Sequence, residues 1–163
     1  MSFLTTSVHR RVTPVVVALL ACLGPALLVA VPTAPAALLE KVIDTITAEQ
    51  LLDFMDNEGY AVELHESGFV QWKLDGFRCQ IFVAKDNESI QFHSSFGDGN
   101  ATLKRINAWN STKRYSRTYL DDDGDPHLEL DLDMCGGVTL DRIRDFLKTC
   151  KVSFPAWRTE VLE

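Results

Sequence analysis

Apolar residues recur along this chain with two periods, and each change of period marks an element. Thr47-Ala48-Glu49-Gln50 has the form of a capping box, in which a threonine hydroxyl accepts from the third helical amide and a glutamine reaches back. Ile46 and Leu51 flank it as a hydrophobic staple, Leu51, Leu52 and Met55 share one side, and Gly59 suits a left-handed cap. A helix over 48–58 is predicted. The period then drops to two. Residues 61–65 form a short strand, and Phe69 to Leu74 and Phe77 to Ala84 flank Asp75-Gly76, a dipeptide suited to a tight type I′ hairpin turn. That turn sets Leu74 against Phe77, Trp72 against Cys79 and Val70 against Ile81 on one face. Gln71, Lys73, Arg78 and Gln80 fall on the other.

A further strand over 89–96 alternates Ile90, Phe92, Ser94 and Phe96 on its apolar side. Asp98-Gly99-Asn100 should stop the sheet and cap a second helix, 101–110, whose apolar arc holds Leu103, Ile106 and Trp109. Asn110 falls inside that arc and Asn107 at its edge, so both amides need partners. They either tie the helix end to neighbouring backbone or read a ligand. A second hairpin spans Arg114 to Met134 around Asp123-Gly124. A two-residue turn there would pair Tyr119 with Leu128, Tyr115 with Leu132 and Arg114 with Asp133, leaving Arg117 on the apolar side with its head snorkelling outward. After Gly136-Gly137, Thr139 caps a third helix striped by Leu140, Ile143, Phe146, Leu147 and Cys150. Pro155 should kink this helix or force a fresh start capped by Ser153, with Phe154, Trp157 and Val161 continuing the stripe. The order α-β-β-β-β-α-β-β-α, with hairpin connections, defines an α+β fold: an antiparallel sheet with helices on one side.

The N-terminal segment follows neither period. Arg10 and Arg11 precede an uncharged run from Val12 to Val31, then Pro32-Thr33-Ala34-Pro35-Ala36-Ala37, and the first acid is Glu40. A basic start, an apolar middle and small residues at Ala34 and Ala36 form the pattern of a secretory signal peptide over 1–36, cleaved after Ala36. The run could also serve as an uncleaved inner-membrane anchor, although Thr13, Pro14, Gly24 and Pro25 make it a poor permanent span. Leu19-Leu20-Ala21-Cys22 only faintly resembles a lipoprotein box, and Arg10-Arg11 lacks the rest of the twin-arginine motif. Residues 37–46 then form a lead-in and 47–163 the folded domain. The expected address is the periplasm or outside the cell.

The full chain has 163 residues and a net charge of -7. Removing 1–36 leaves 14 Lys and Arg against 23 Asp and Glu, which argues against a nucleic-acid binder. Cys79, Cys135 and Cys150 remain; an oxidising compartment could join one pair, or all three could be small buried hydrophobes. Their spacing fits no zinc site. Asp121-Asp122-Asp123-Gly124-Asp125 invites a cation reading through Asp121, Asp123 and Asp125, but Leu130 stands where a calcium loop needs glutamate. Glu129, Asp131 and Asp133 form an acidic ladder on one strand face, a second cation candidate or a solvated surface. No nucleophile elbow surrounds Ser94 or Ser95, and His93 alternates away from Cys79, so no catalytic set or cofactor is expected. Asn87, Asn100 and Asn110 begin glycosylation triplets, a pattern common by chance.

Several runs belong together: Leu103-x-x-Ile106-Asn107-x-Trp109-Asn110, Arg114-Tyr115, Tyr119-Leu120-Asp121-x-Asp123-Gly124-Asp125-Pro126, Leu128-x-Leu130-Asp131-Leu132 and Gly136-Gly137-Val138-Thr139. With Ile46 to Gln50 and Gly59-Tyr60 they cover about 45–150, and this set resembles the YbjN family of bacterial proteins. The resemblance implies a type III secretion chaperone-like α+β domain that often dimerises, has no enzymatic activity and carries a label of sensory transduction regulator. Asn107, Trp109, Asn110, Tyr119, Asp121, Asp123 and Gly124 would then form a structural motif. The leader argues against a direct transcriptional role, and Pro155 interrupts the helix on which a dimer contact could be built. Two functions follow: an envelope module that binds a protein or peptide, or a small-ligand or divalent-cation binder using the acidic hairpin.

Overall fold

The computed structural model describes residues 41–97 and 100–163. The signal segment with its anchor and lipoprotein alternatives, and the Asp98-Gly99 stop, lie outside these residues. A strand, β1 (Val42–Ile43), comes first and is followed by α1 (Ala48–Asn57). The Thr47 capping box forms with both of its bonds, so local sequence alone sets where α1 begins. Then come β2 (Val62–Leu64), β3 (Val70–Leu74), β4 (Phe77–Val83), β5 (Ser89–Ser95) and α2 (Leu103–Thr112). The chain ends with β6 (Arg117–Leu120), β7 (Pro126–Asp133), β8 (Val138–Thr139), α3 (Leu140–Trp157) and a π-helical segment, Arg158–Leu162.

Six strands form one antiparallel-paired sheet in the order β2-β3-β4-β5-β7-β6. The first hairpin has the expected register, Leu74 to Phe77, Trp72 to Cys79 and Val70 to Ile81. Asp75 and Gly76 both take positive φ (50° and 86°), as a type I′ turn requires. Strand residues of one parity form the core side, where Trp72, Ile81, Phe92, Leu130 and Met134 are buried. They meet Leu51 and Met55 of α1, Ile106 and Trp109 of α2, and the α3 stripe through Ile143, Leu147, Phe154 and Trp157 in one cluster. The helices therefore pack on one face, as the period-two strands demand.

Five sequence expectations need correction. The lead-in holds β1, which pairs with β8 as a two-stranded sheet; two-residue strands leave no periodic signal. A side chain at Gly137, whose φ is 95°, would overlap Val42 of β1, so glycine is required there. The second helix starts later than expected, with Thr102 as its cap, and Leu103 lies outside the core at 72% exposure. The second hairpin is shifted by one residue: Thr118 faces Leu128 and Tyr119 faces His127. Thr118 is consequently buried and Arg117 points away from the core, so it need not snorkel. Finally, α3 runs through Pro155 without a fresh start at Ser153. Phe154, Trp157 and Val161 are fully buried around it, and that packing outweighs one missing backbone donor.

Candidate functional site

The second hairpin is shifted because Asp121 builds a loop that two turn residues could not. Its Oδ1 accepts the backbone N–H groups of Asp123 and Asp125 at 3.0 and 2.9 Å. Its backbone N–H donates to the Asp125 carbonyl, and Gly124 at φ 86° closes the turn onto the Asp121 carbonyl. The remaining oxygen, Oδ2, lies 3.1 Å from His127 Nε2. These bonds, led by the Asp125 amide and the His127 ring, hold the Asp121 carboxyl below its ordinary range. Asp121 is thus a loop fastener, and no three His, Cys, Asp or Glu side chains among the described residues are arranged to hold a metal ion. The acidic ladder is likewise divided: Glu129 takes Arg117 and Tyr119, Asp131 takes Gln91, and Asp133 takes the Cys135 amide.

His127 continues the chain across the sheet face that carries no helix. Its Nδ1 meets His93 Nε2 at 2.9 Å, and His93 Nδ1 meets the Gln80 amide at 3.0 Å. A carboxylate can only accept, so His127 Nε2–H donates to Asp121. If Gln80 offers its N–H, both rings are neutral and every donor points toward Asp121. If Gln80 offers its carbonyl, His93 Nδ1–H donates to it and the contact between the two rings needs one further proton, carried by either ring. One added proton therefore goes with a turned Gln80 amide. Burial, with the neighbouring His127, lowers the His93 pKa from its ordinary 6.5. Both ring nitrogens of His127 are engaged, so the ring has no free base to offer Ser95 on the adjacent strand.

Rings continue the row. His65 stacks on Phe69 (4.3 Å), Phe69 meets Phe82 (5.3 Å), Phe82 meets His93 (6.0 Å), and Tyr119 stacks on His127 at 4.9 Å. The Tyr119 hydroxyl donates to buried Glu129. Burial and that acceptor raise the Tyr119 pKa. Inside the core, Cys79 sits against Ser94 with its thiol pKa pushed up by burial to about 11, and Cys150 is shifted up for the same reason. All three described cysteines are free thiols; Cys135 is exposed, which corrects the reading of it as a buried hydrophobe. These environments offer no activated nucleophile.

The two edges of the sheet differ. At the β6 edge, Thr118 turns its backbone groups outward, and the Asn110 carboxamide meets both. Nδ2–H donates to the Thr118 carbonyl at 2.9 Å, and Oδ1 accepts the Thr118 N–H at 3.0 Å. One side chain thus imitates a neighbouring strand. Asn110 ties the helix to backbone although it, like Asn107, is exposed rather than buried in the helix's apolar arc. Trp109 donates to Ser116, and Trp157 donates to Thr118 Oγ1, fixing the same edge from inside. At the β2 edge, Ala61 and His65 bond to β3, so Val62 and Leu64 direct their N–H and C=O groups away from the sheet. No described residue pairs with them. Leu64 is 40% exposed. Beside this edge a groove of about 460 Å³ runs between Ala61, Val62 and Glu63 and the hairpin residues Lys73 and Arg78. Periodicity alone did not reveal the edge contrast, which depends on strand order; the Lys73–Arg78 opposition was already implied by the Asp75-Gly76 turn.

The six-stranded sheet carries helices on one face and an unpaired edge at β2, the frame of a small α+β domain. The family model described as "Putative bacterial sensory transduction regulator" matches residues 47–163, and the chain belongs to this family, YbjN. It is a non-enzymatic, regulatory member. The crystal structure of YbjN from E. coli, described as "a putative transcription regulator", is similar at a TM-score of 0.52 and 16% identity. The match covers 67% of this chain and 85% of that one, and at this identity it shows the fold alone. No curated protein matches significantly.

Proposed function

We propose that this chain is a protein- or peptide-binding module of the bacterial cell envelope, chaperone-like or regulatory in action. The open β2 edge supports this reading, because Val62 and Leu64 offer unpaired backbone groups beside partly exposed apolar side chains. An extended partner segment can add a strand to such an edge. The leader over 1–36 supports the envelope address, and no helix among the described residues is long and apolar enough to cross a membrane. A photo-reactive amino acid at position 64 should yield a discrete crosslinked protein in cells, and one at Leu103, exposed on α2, should not. Absence of an adduct specific to position 64 would reject the edge as the binding site. The intact mass of the protein from its host tests the address: loss of 1–36 supports export, and a full-length mass supports an anchor.

A further inference from the structure

Within that reading, which it presupposes, we infer that the β2 edge accepts an extended segment in which apolar residues alternate with acidic ones. The requirement for acid comes from Lys73 and Arg78. They are cross-strand partners in the first hairpin, one step beyond the Leu74–Phe77 pair that flanks the turn. That step is a non-hydrogen-bonded position, where side chains stand closest, with Cα atoms about 4.5 Å apart. Like charges directly opposed there repel each other. Neither residue forms an ion pair with a described residue, although the chain as a whole carries a net charge of -7. The fold thus holds two like charges at the groove with no ion pair among the described residues to separate them. Glu63, the acid nearest in the groove, is bonded to Gln71.

The small neighbour decides where that charge can be used. Lys73 N–H donates to the Ala61 carbonyl, so Ala61 stands beside Lys73 on the outer face of β2. Alanine leaves the groove open to the sheet edge, and a lysine stem can cross it. A strand added along Val62 and Leu64 places its outward side chains beside Ala61 and Glu63, the one acid among the described residues of the groove, and within the field of the two cations Lys73 and Arg78. Its inward side chains lie beside Val62 and Leu64, where the edge is apolar and partly exposed. Charge also separates the candidate occupants. Residues 1–39 contain no Asp or Glu, so this chain's own leader lacks the required group.

The test uses the protein as isolated from its host and two end-blocked fluorescent peptides, one alternating Val with Glu and one alternating Val with Gln. At low salt the Glu peptide should bind about fivefold more tightly, the scale of two exposed ion pairs. The preference should vanish in the Lys73→Ser, Arg78→Ser double variant, whose melting temperature should not fall because both residues are exposed. Leu64→Pro should abolish binding of both peptides, since it removes an edge N–H that β3 does not use. Equal binding of the two peptides overturns the acidic preference and leaves the edge reading intact. Binding of neither peptide, with the crosslink at position 64 still present, also overturns this inference alone. Binding of neither, with no crosslink, removes both. A dimer in sedimentation that Leu64→Pro dissociates would make a second copy the occupant and overturn the inference.

Discussion

The two outer strands of one sheet meet the same problem and answer it differently. β6 faces outward at Thr118, and the Asn110 carboxamide satisfies that residue as a partner strand would. β2 faces outward at Val62 and Leu64 with no such device among the described residues. Unpaired strand edges invite pairing with other chains, so folds usually block them. The fold caps one edge at Thr118 with a dedicated side chain and leaves the other open beside a charged groove.

The strongest challenge to this contrast removes the internal support of the closed edge. Trp157 is fully buried and donates to Thr118 Oγ1, which itself donates to the His127 carbonyl. Trp157→Ala should destabilise the domain by about 3–5 kcal/mol in urea denaturation. A loss near that of an exposed substitution would show that β6 is held without it.

Asn110→Ala is the next largest perturbation. It leaves the Thr118 N–H and C=O without their protein partners and should lower stability by about 1–3 kcal/mol. It also opens the second edge, so gel filtration should reveal self-association absent from the parent. Asn110→Asp sharpens the point: a carboxylate still accepts from the N–H but opposes the carbonyl, so its effect should fall between parent and alanine variant. Hydrogen exchange offers the same contrast without mutation. The Thr118 amide should be protected, the Leu64 amide should exchange freely, and only the first should change in Asn110→Ala.

Acid should weaken the β6 side selectively, because its chain of rings ends on Tyr119 and Asp121. Burial lowers the folded-state pKa of His93, whereas the unfolded chain protonates near the ordinary 6.5. The sign follows from linkage: the neutral-ring contribution is complete above 6.5 and is lost as pH falls through the lowered folded value. His127 disfavours the second proton, and Glu129 partly offsets this. His93→Gln should flatten the stability profile in that window. A second decline should begin below 3.8, as Asp121 loses the charge that its backbone donors hold. An unchanged slope in His93→Gln would separate the ring chain from the edge.

The smallest stability effect belongs to the open edge. Leu64→Ala should change stability by less than about 1 kcal/mol, because the side chain is 40% exposed. A larger loss would mean that β2 is a structural strand like β6.

Much of the fold could be read in advance where the signal is local. The Thr47 box, the Asp75-Gly76 turn and the alternation from Ile90 to Ser94 each depend on neighbours within a few residues. The register error in the second hairpin has a physical cause as well: Asp123-Gly124 looks like a two-residue turn, but Asp121 gathers two backbone amides and lengthens the loop. Pro155 shows the opposite balance, a local rule overridden by the burial of Phe154 and Trp157.

The sequence by itself therefore determined the family, the α+β class, the inward residues of β3, β4, β5 and β7 and the leader-like pattern of the N-terminal segment. These follow from period, capping and turn chemistry, which act over one turn or one hairpin. Only the tertiary structure decided that β7 enters between β5 and β6, which leaves β2 and β6 at the edges. It also brought Gln80, His93, His127 and Asp121 into one chain, and set Asn110 against Thr118 while nothing among the described residues covers Leu64. Strand order is chosen by long-range burial summed over the whole core, and no single stretch of sequence carries that sum.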